Sequence, residues 1–508
     1  MDGDPHLGHP VREHDDSRVA VIDIGSNSVR LVVYDGRGRA SQVIFNEKAI
    51  CALSAGVSKD GLLCEQGIAC VTGVLGRFVR ICHALDVTTI DAFATAATRD
   101  AANGGELIDR IRALCGLDVA VLSGEQEARL SAEGVIASMP GVDGAMGDLG
   151  GGSMEVVALD KGAIGACATL PVGVLQMMAA HGNDIAALRK FVRKALVGPK
   201  WFTATKGRTF VAVGGAWRAL ARVYMNVNQV PLHIVQGLTV DAGRLKPFLT
   251  ALMKGGHQDE AAVRGLSRRR VEALPVAAAL LSEVIARGRP ASVTFSAYGV
   301  REGRLMRHLP EQERARDPLY AACADLSSDT PRFRLSADEV FHWMSSLFVD
   351  EPADRQRLRY AACLVGDIGW REHPDYRPEQ VFRRLLLLPA VGIDHAGRAF
   401  FATTVYARYT HHFEAPCLAP ARALLSDDAF EAAALAGGAL RLAYEMSGGD
   451  PEVLRMTRLE RGSGALVLHL SEAVTSVIGD GVERRLGQIA KRVGLKAELR
   501  RIGEGLAA

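Results

Sequence analysis

The chain has 508 residues, of which 48% are hydrophobic, 23% are charged and 6% are aromatic. This length is too great for one hydrophobic core, so we expect three or four domains of an ordinary soluble globular protein. The net charge is only +2, and the most apolar run, 385–388, ends at Pro389 and is far too short to cross a bilayer, so no membrane attachment is expected.

The N-terminus and the cysteines indicate the compartment. Residues 1–18 are polar, rich in His and Asp, and without an apolar core. We expect a disordered tail there, and neither a signal peptide nor a membrane anchor. The nine cysteines form no CxxC pair and no Cys/His cluster of the zinc type. We expect reduced thiols in a cytoplasmic protein.

Two α/β domains are predicted, at 19–140 and at 141–310. The first begins with strands and continues with a helix at 62–85, a strand at 89–94, a helix at 103–114 and a strand at 119–122. The second opens with a hairpin at 144 and continues with strands near 166–170, 209–213 and 292–296 and a helix at 185–197. This order of strands and helices indicates sheets that are at least partly parallel. Two similar halves would place a ligand in the cleft between them.

The composition changes after residue 310. Apolar residues recur at helical spacing over 336–348, 354–364 and 377–388, which predicts an all-helical third domain at 311–447. The last stretch, 448–508, is predicted to be a small α/β cap domain. Its elements are short strands near 453–459 and 465–470, a helix at 481–493 and a strand at 496–501.

One hairpin pattern occurs twice, at 21–33 and at 146–158, with strand-forming residues on both sides of a Gly/Ser/Asn tip. Aligned without gaps, the copies pair Asp23 with Asp148, Gly25 with Gly150 and Ser28 with Ser153. Small tip residues let backbone N–H groups converge on an anion, and a strand-end Asp can hold a divalent cation. Two copies that face each other would bind one phosphate from both sides. Because the first copy ends in Arg30 and the second in Glu155, the first is expected to bind phosphate and the second a metal ion.

Four further clusters lie at predicted strand ends. They are Ala94-Thr-Ala-Ala-Thr-Arg-Asp100, Ser123-Gly-Glu-Gln-Glu-Ala-Arg-Leu130, Phe210-Val-Ala-Val-Gly-Gly-Ala-Trp217 and Ser296-Ala-Tyr-Gly-Val-Arg-Glu-Gly303. The first offers Arg99 and hydroxyl groups to an anion at a helix start. The second opens a helix with Glu125 and Glu127, for which the alternative role is to complement the helix dipole. The third ends in a glycine pair, and the fourth runs into a Gly and an Arg/Glu pair.

Together these motifs resemble the exopolyphosphatase / guanosine pentaphosphate phosphatase (Ppx/GppA) family. The matches follow the family order and are Asp23-x-Gly-Ser-Asn-Ser28, Thr98-Arg99, Ser123-Gly-x-x-Glu-Ala-Arg129, Asp148-x-Gly-Gly-Gly-Ser-x-Glu155, Gly214-Gly215 and Gly299-x-Arg-Glu-Gly303. The resemblance implies that both α/β domains have the actin, Hsp70 and sugar kinase fold, which is ribonuclease H-like. It also implies that the helical domain is HD-like.

The resemblance implies roles for single residues. Glu127 would be the general base that takes a proton from the attacking water, with Glu155 as a second catalytic carboxylate. Asp148, Glu155 and Asp23 would hold or position Mg²⁺, with another divalent cation or K⁺ as alternatives. The phosphate-binding residues would be Asn27, Ser28, Arg99, Gly150, Gly151, Gly152, Ser153, Gly214 and Gly215.

Two positions depart from the family pattern. Met154 replaces a common Thr and removes a hydroxyl group beside Glu155. In the helical domain, Gly366 occupies the place of the metal-binding His of HD phosphohydrolases, which leaves Asp367 without its neighbour. We therefore predict no second metal-dependent site in that domain. The alternative is a site rebuilt from His373, His395, His411 and His412.

A strongly basic segment lies at 186–310, with 21 Lys and Arg against 6 Asp and Glu. This excess favours a polyanionic ligand. The alternative is a basic face paired with acidic neighbours, and nucleic acid is not expected because no binding motif accompanies the charge. The expected polyphosphate track comprises Lys190, Arg193, Lys194, Arg268, Arg269, Arg270 and Arg301.

These features predict a cytoplasmic, homodimeric exopolyphosphatase that uses Mg²⁺ and water to release orthophosphate from the end of inorganic polyphosphate. The alternative within the same chemistry is hydrolysis of the 5′ γ-phosphate of guanosine pentaphosphate (pppGpp). Two further alternatives are a kinase of the same superfold and a polyphosphate-binding sensor. The motif at 123–129 argues against the kinase, and the three acids Glu127, Asp148 and Glu155 argue against the sensor.

Overall fold

The computed structural model describes residues 18–36, 38–53, 61–182, 184–196, 201–328 and 332–502. The chain forms two compact units, and the boundary between them falls between Pro318 and Leu319. The predicted tail at 1–18 lies outside the described residues, except for Arg18, which begins the first strand.

The first sheet of the N-terminal unit has five strands in the order β3-β2-β1-β4-β5. Its elements are β1 (Arg18–Ile24), β2 (Ser28–Tyr34), β3 (Val43–Ile50), α1 (Glu65–Ala84), β4 (Val87–Ala94), α2 (Ala96–Asp100), α3 (Gly104–Cys115), β5 (Val119–Val121) and α4 (Gly124–Ser138). The first three strands are antiparallel. Strands β4 and β5 run parallel to β1, so the chain needs α1 as a crossover between β3 and β4.

Helix α1 is the one described helix that is long and apolar enough, by length and composition, to cross a membrane. Its buried side chains include Ile68, Val71, Leu75 and Phe78, and all of them belong to the hydrophobic core that this helix shares with β1 and β2. The apolar face of α1 is therefore used for packing inside the first α/β layer.

The second sheet has six strands in the order β10-β11-β9-β6-β7-β8. Its strands are β6 (Gly144–Leu149), β7 (Met154–Asp160), β8 (Ala163–Leu170), β9 (Thr209–Val213), β10 (Leu238–Asp241) and β11 (Ser292–Phe295). The helices are α5 (Val174–His181), α6 (Ile185–Ala195), α7 (Trp201–Thr205), α8 (Gly215–Val227), α9 (Ala242–Met253), α10 (Arg268–Glu272), α11 (Leu274–Gly288), α12 (Val300–Arg307) and α13 (Glu311–Ala315). As in the first sheet, three antiparallel strands adjoin parallel ones. The prediction of two mixed α/β sheets is confirmed.

Glycines let α4 and α12 pack closely against each other. A Cβ atom on Gly134 would lie 2.1 Å from the carbonyl oxygen of Gly299, and one on Gly303 would lie 1.9 Å from that of Leu130. No other residue fits there without a backbone shift. Because α4 carries the predicted general base and α12 carries a predicted track arginine, this crossing sets the spacing of two site residues.

The C-terminal unit is mainly helical, as predicted for the region after 310. Its helices are α14 (Pro318–Ser328), α15 (Ala337–Trp343), α16 (Ala353–Leu364), α17 (Arg377–Leu386), α18 (His395–Tyr409), α19 (Ala419–Leu424), α20 (Asp427–Ser447), α21 (Pro451–Arg455) and α22 (Asp480–Arg492). Strands β12 (Thr457–Arg461), β13 (Ala465–Ser471) and β14 (Lys496–Ile502) form a small sheet in that order. Strands β12 and β13 are antiparallel, whereas β13 and β14 are parallel.

One predicted strand begins later than expected. Residues 453–455, predicted as strand, belong to helix α21, and β12 starts at Thr457. The Asp450 side chain accepts a hydrogen bond from the N–H of Glu452, and Pro451 occupies the first turn. Both features favour a helix start, which outweighs the strand preference of Val453.

Candidate active site

A cleft of about 310 Å³ opens between the two sheets of the N-terminal unit, and both hairpin tips line it. The tips are built alike: the N–H of Gly25 donates to the carbonyl oxygen of Ser28, and that of Gly150 donates to Ser153, each at 3.0 Å. The two hairpins that share a sequence pattern thus also share this backbone hydrogen bond at their tips. The next tip amides have no acceptor among the described residues, and they belong to Ser26, Asn27, Gly151 and Gly152. Such amides are available to bind anionic oxygens.

Two glycines make close approaches at the cleft possible. Gly214 has φ +105°, and a Cβ there would lie 2.4 Å from the carbonyl oxygen of Leu149. A Cβ on Gly151 would lie 2.7 Å from the hydroxyl of Ser26, so the two tips approach each other across the cleft. Gly214 needs glycine because of its positive φ and the Leu149 backbone beside it, whereas a side chain on Gly151 would enter the space between the tips.

The two hairpins differ in the residue opposite the aspartate. Asp23 on β1 faces Arg30 on β2, whereas Asp148 on β6 faces Glu155 on β7. Directly opposed like charges destabilise a sheet unless a proton or a cation lies between them. Burial raises the pKa of Asp23, an effect opposed by the positive charges of Arg301 and Arg30. The second hairpin therefore concentrates negative charge that the first hairpin balances internally.

Hydroxyl groups hold the two acids of the second hairpin. The Ser131 hydroxyl donates to Oδ2 of Asp148 at 2.6 Å, and the Ser153 hydroxyl donates to Oε1 of Glu155 at 2.6 Å. Burial raises the pKa of Asp148, and the Ser131 hydrogen bond opposes that rise. Burial also raises the pKa of Glu155 to about 7, with Ser153 opposing and the charge of Asp148 adding to the rise. Ser153 thus holds a carboxylate as well as lining the cleft.

Glu127 lies in the first turn of α4, whose start is set by a capping box between Ser123 and Gln126. Its neighbour Glu125 is exposed and pairs with Arg129, which suits a helix-dipole role. Glu127 instead lines the cleft, and its Oε2 accepts no hydrogen bond from any described residue. Burial, followed by the charges of three neighbouring acids, raises the pKa of Glu127 well above its usual value.

Arg99 lies beside Glu127, and its side chain is not part of the cleft lining. Its Nη1 is 3.6 Å from Oε2 of Glu127 and donates to the carbonyl oxygen of Leu122 at 3.0 Å. Its Nε donates to Oδ1 of Asp100 at 2.9 Å. In this geometry the charge of Arg99 favours the ionised form of Glu127.

The acids fit a magnesium ion that keeps most of its ligands outside the protein. Among the described residues, no three His, Cys, Asp or Glu side chains converge closely enough to hold a metal ion alone. Yet Glu155 is buried, Asp23, Asp148 and Glu127 beside it are half-buried, and each of the four has a raised pKa that a cation would lower. Mg²⁺ is commonly bound by one or two carboxylates together with waters and substrate phosphates. This donor set suits that mode of binding.

The basic residues of the predicted track fall into two groups. Arg269, Arg270 and Arg301 line the cleft. Nη1 of Arg269 donates to Oδ1 of Asn27 at 2.6 Å, which joins the two sheets across the cleft. A Cβ on Gly215 would lie 2.4 Å from Nη2 of Arg270, so that guanidinium lies directly on the glycine backbone.

The other four track residues lie away from the cleft lining. Arg193 of α6 donates to both carboxylate oxygens of Glu283 on α11 at 2.8 and 3.1 Å. Arg268 pairs with Glu272 one turn along α10. Lys190 and Lys194 lie on α6 and are absent from the lining of the cleft. Of the seven predicted track residues, the structure thus brings together at the cleft only Arg269 and Arg270 of α10 and Arg301 of α12.

The sequence analysis did not predict two positively charged residues that line the cleft, Lys48 and Arg218. Lys48 on β3 is opposite Arg30, and burial followed by nearby arginines lowers its pKa. Arg218 lies in the first turn of α8, where burial followed by the charge of Arg301 lowers its pKa to about 10. The register of β2 and β3 would have been the signal, because it places Lys48 opposite Arg30 and a bound anion would relieve the repulsion of two opposed positive charges.

The predicted degenerate HD motif is held by arginines. Nε and Nη2 of Arg332 donate to the two oxygens of Asp367 at 3.0 and 2.9 Å, and Nη2 of Arg408 is 3.7 Å away. The carboxylate of Asp367 therefore binds guanidinium groups. The histidines of the alternative site form no metal-binding group of three within the described ranges. The absence of a second metal site stays a prediction.

Comparison with known proteins agrees with this geometry. The sequence model of the Ppx/GppA phosphatase family matches residues 31–312, and that of the exopolyphosphatase C-terminal domain matches residues 319–500. Exopolyphosphatase 1 of Mycobacterium tuberculosis and that of Mycobacterium bovis are each 27% identical over 316 residues, which is 58% of this chain and 89% of the relative.

Two solved structures are similar. The Aquifex aeolicus member of the Ppx/GppA family is 26% identical with a TM-score of 0.50, covering 57% of this chain and 97% of that one. An exopolyphosphatase from Cytophaga hutchinsonii is 23% identical with a TM-score of 0.52, covering 58% and 99%, which supports the fold alone. Because the first family model spans more than half of the chain, and the cleft carries the motifs of that family, the chain belongs to the Ppx/GppA phosphatase family.

Proposed function

We propose that this protein is an exopolyphosphatase, which hydrolyses the terminal phosphoanhydride bond of inorganic polyphosphate and releases orthophosphate. The observation that carries the proposal is Glu127, a buried cleft carboxylate whose Oε2 accepts no hydrogen bond among the described residues. An acceptor of this kind is what a general base needs in order to bind and deprotonate a water. The relatives named exopolyphosphatase support the same substrate.

The tips and the arginines would bind the terminal phosphate. The amides of Ser26, Asn27, Gly151 and Gly152 supply donors from both sides, and the cleft cations neutralise the equatorial oxygens. Because these donors are fixed before substrate arrives, they need little reorganisation as charge develops. The water attacks directly, so no protein nucleophile is required.

Asp148, Glu155 and Asp23 would hold Mg²⁺, which would offset the charge of the leaving phosphate and of the transferred group. We infer Mg²⁺ from the carboxylate-rich donor set and from the family resemblance; another divalent cation or K⁺ is distinguished by metal titration of the apoprotein. The charges of Glu155, Asp148 and Asp23 raise the pKa of Glu127, so a bound cation would favour the ionised form of this base.

Glu127→Gln tests the proposal. It removes the proton acceptor and keeps the side-chain volume, so we expect kcat for phosphate release to fall by about 10²- to 10⁴-fold while polyphosphate binding persists. Glu125→Gln, two residues away on the exposed side of α4, is the matched control and should retain kcat within about twofold. Unchanged turnover in Glu127→Gln would remove this residue from the role of base.

The substrate preference follows from the charge of the cleft. The cations Lys48, Arg218, Arg269, Arg270 and Arg301 all line one cleft, which suits a chain of phosphates. Measuring kcat/KM for long polyphosphate and for guanosine pentaphosphate side by side compares the two substrates. A higher kcat/KM for guanosine pentaphosphate would show that this compound, and not polyphosphate, is the principal substrate.

From the resemblance to the family we infer a homodimer and an HD-like origin of the helical region at 311–447. From the sequence pattern we infer a cytoplasmic location and a cap domain at 448–508. The free state of all nine cysteines agrees with a reducing compartment. Size-exclusion chromatography with light scattering measures the oligomer, and a monomeric mass at working concentrations would contradict the dimer.

A further inference from the structure

A second cavity, of about 410 Å³, lies in the C-terminal unit between α20, α22 and the end of α18. We call it the α20–α22 groove. It is lined by Ala407, Thr410, His411, Phe413, Glu431, Ala434, Leu435, Gly438, Arg441, Arg485, Gln488, Ile489, Lys491 and Arg492. The lining residues recur every three or four positions along α20 and α22, so each helix presents one face to the groove.

One end of the groove carries uncompensated positive charge. Nη1 of Arg441 is buried and has no hydrogen-bond partner among the described residues. The nearest acid is Glu445, whose Oε2 is 3.0 Å from Nε of Arg485 and 3.9 Å from Nε of Arg441. The carboxylate of Glu445 therefore forms ion pairs with both Arg485 and Arg441. A buried charge without full compensation is costly, and the cost is removed when an anion binds.

The titration of the neighbouring groups reports the same positive field. Burial, followed by the charge of Arg485, lowers the pKa of Arg441 to about 10. Burial, followed by His412 and Arg441, lowers the pKa of His411. Burial disfavours a charge of either sign, but the contributions of the neighbouring positive charges favour an added negative charge at this end of the groove.

The wall of the groove is apolar. Phe413, Leu435 and Ile489 line it, and Ile489 is 3% exposed. The guanidinium of Arg492 lies 4.8 Å from the ring centre of Phe413 and forms an ion pair with Glu431. The acid of the lining is thus already neutralised, and the groove offers an apolar surface next to an anion-binding end.

We propose that the α20–α22 groove is a binding site for a small organic anion. Its carboxylate or phosphate head would accept hydrogen bonds from Arg441 and Arg485, and its apolar or aromatic body would pack against Phe413, Leu435 and Ile489. The one acid in the lining is occupied by Arg492, so the groove binds its ligand without hydrolysing it. This site is independent of the phosphate cleft in residues and in chemistry.

Calorimetric titration of the full chain tests the site with adenosine monophosphate, octanoate and inorganic phosphate. We expect at least one of the two organic anions to bind more tightly than inorganic phosphate, because only they use the apolar wall. Tighter binding of the nucleotide would identify a phosphate head, and tighter binding of octanoate a carboxylate head. Either result supports the site if Arg441→Met weakens that binding at least tenfold, since binding in the phosphate cleft does not depend on Arg441.

Arg458→Met is the matched control. It removes the same charge from an exposed position of β12 in the same unit, outside the groove lining, and should change Kd less than twofold. Gly438→Leu fills the groove from α20 and should also weaken binding at least tenfold. Arg441→Met should leave the Tm unchanged or raised, since it removes a buried charge that shares its one acid, Glu445, with Arg485. Binding that is insensitive to both Arg441→Met and Gly438→Leu, or no organic anion bound more tightly than phosphate, would overturn the proposal.

Discussion

The pair formed by Arg99 and Glu127 makes the proposed base sensitive to pH in a definite direction. Burial raises the pKa of Glu127, and Arg99, with Nη1 at 3.6 Å, opposes that rise. The base works only when ionised, so activity should increase with pH through the raised pKa of the acid cluster. Below that range the proton stays on the carboxyl group and hydrolysis slows.

Arg99→Gln should therefore move the acid limb of the kcat/KM profile to higher pH. The variant removes the positive charge that favours ionised Glu127, so the base loses its proton later. Arg129→Gln, which removes an exposed arginine of α4 paired with Glu125, is the control and should leave the limb in place. An acid limb at the same pH in both variants would show that Arg99 has no such role.

The hydroxyl of Ser131 should control metal affinity. It donates to Oδ2 of Asp148 at 2.6 Å and opposes the rise in the pKa of that acid. Without it, Asp148 is harder to ionise and is free to rotate, so Ser131→Ala should raise the Mg²⁺ concentration for half-maximal activity about 10- to 100-fold. Ser138→Ala, at a buried serine of the same helix whose hydroxyl donates to the carbonyl oxygen of Val135, should not raise that concentration. If both variants needed the same Mg²⁺ concentration, the result would contradict a role of Asp148 in binding the metal.

At the scale of elements, the crossing of α4 and α12 is set by glycine. Gly303→Ala would place a Cβ 1.9 Å from the carbonyl oxygen of Leu130, so the helices must separate. We expect the free energy of unfolding to fall by about 1–3 kcal/mol. Gly76→Ala in α1 is the control, because a Cβ at that position would meet no other atom within 4 Å. This substitution should instead raise the free energy of unfolding by about 0.5–1 kcal/mol. Urea denaturation measures both, and equal stability of the two variants would contradict a glycine-limited crossing.

The hairpins were the most predictable elements, and the helix-borne cations the least. The paired tips at Gly25 and Gly150 follow from local rules, because a two-strand unit with small tip residues closes on itself. Helix α6 has its own pattern, but which of its charges face a ligand depends on the helix behind it. There Glu283 of α11 is buried and binds Arg193, an arrangement that no local pattern reveals.

At the scale of the whole molecule, the sequence identified the acids of the site more completely than its cations. Asp148 and Glu155 are close in sequence and become opposite through one hairpin. Lys48 reaches the cleft from strand β3 and Arg218 from helix α8, so their meeting depends on the tertiary fold. For the same reason, the net positive charge of residues 186–310 predicted a polyanionic ligand but not the path of the polyphosphate chain along the protein.

That path can be traced with chains of different length. Arg270 lines the cleft, whereas Lys194 lies on α6 outside the lining. Arg270→Gln should raise KM about tenfold for both tripolyphosphate and long polyphosphate, because a charge beside the terminal phosphates is lost for every substrate. Lys194→Gln should leave KM for tripolyphosphate unchanged, since a three-phosphate chain is held by the cleft alone. A raised KM of Lys194→Gln for long chains only would extend the track along α6 as the sequence predicts, while an unchanged KM for both would confine it to the cleft.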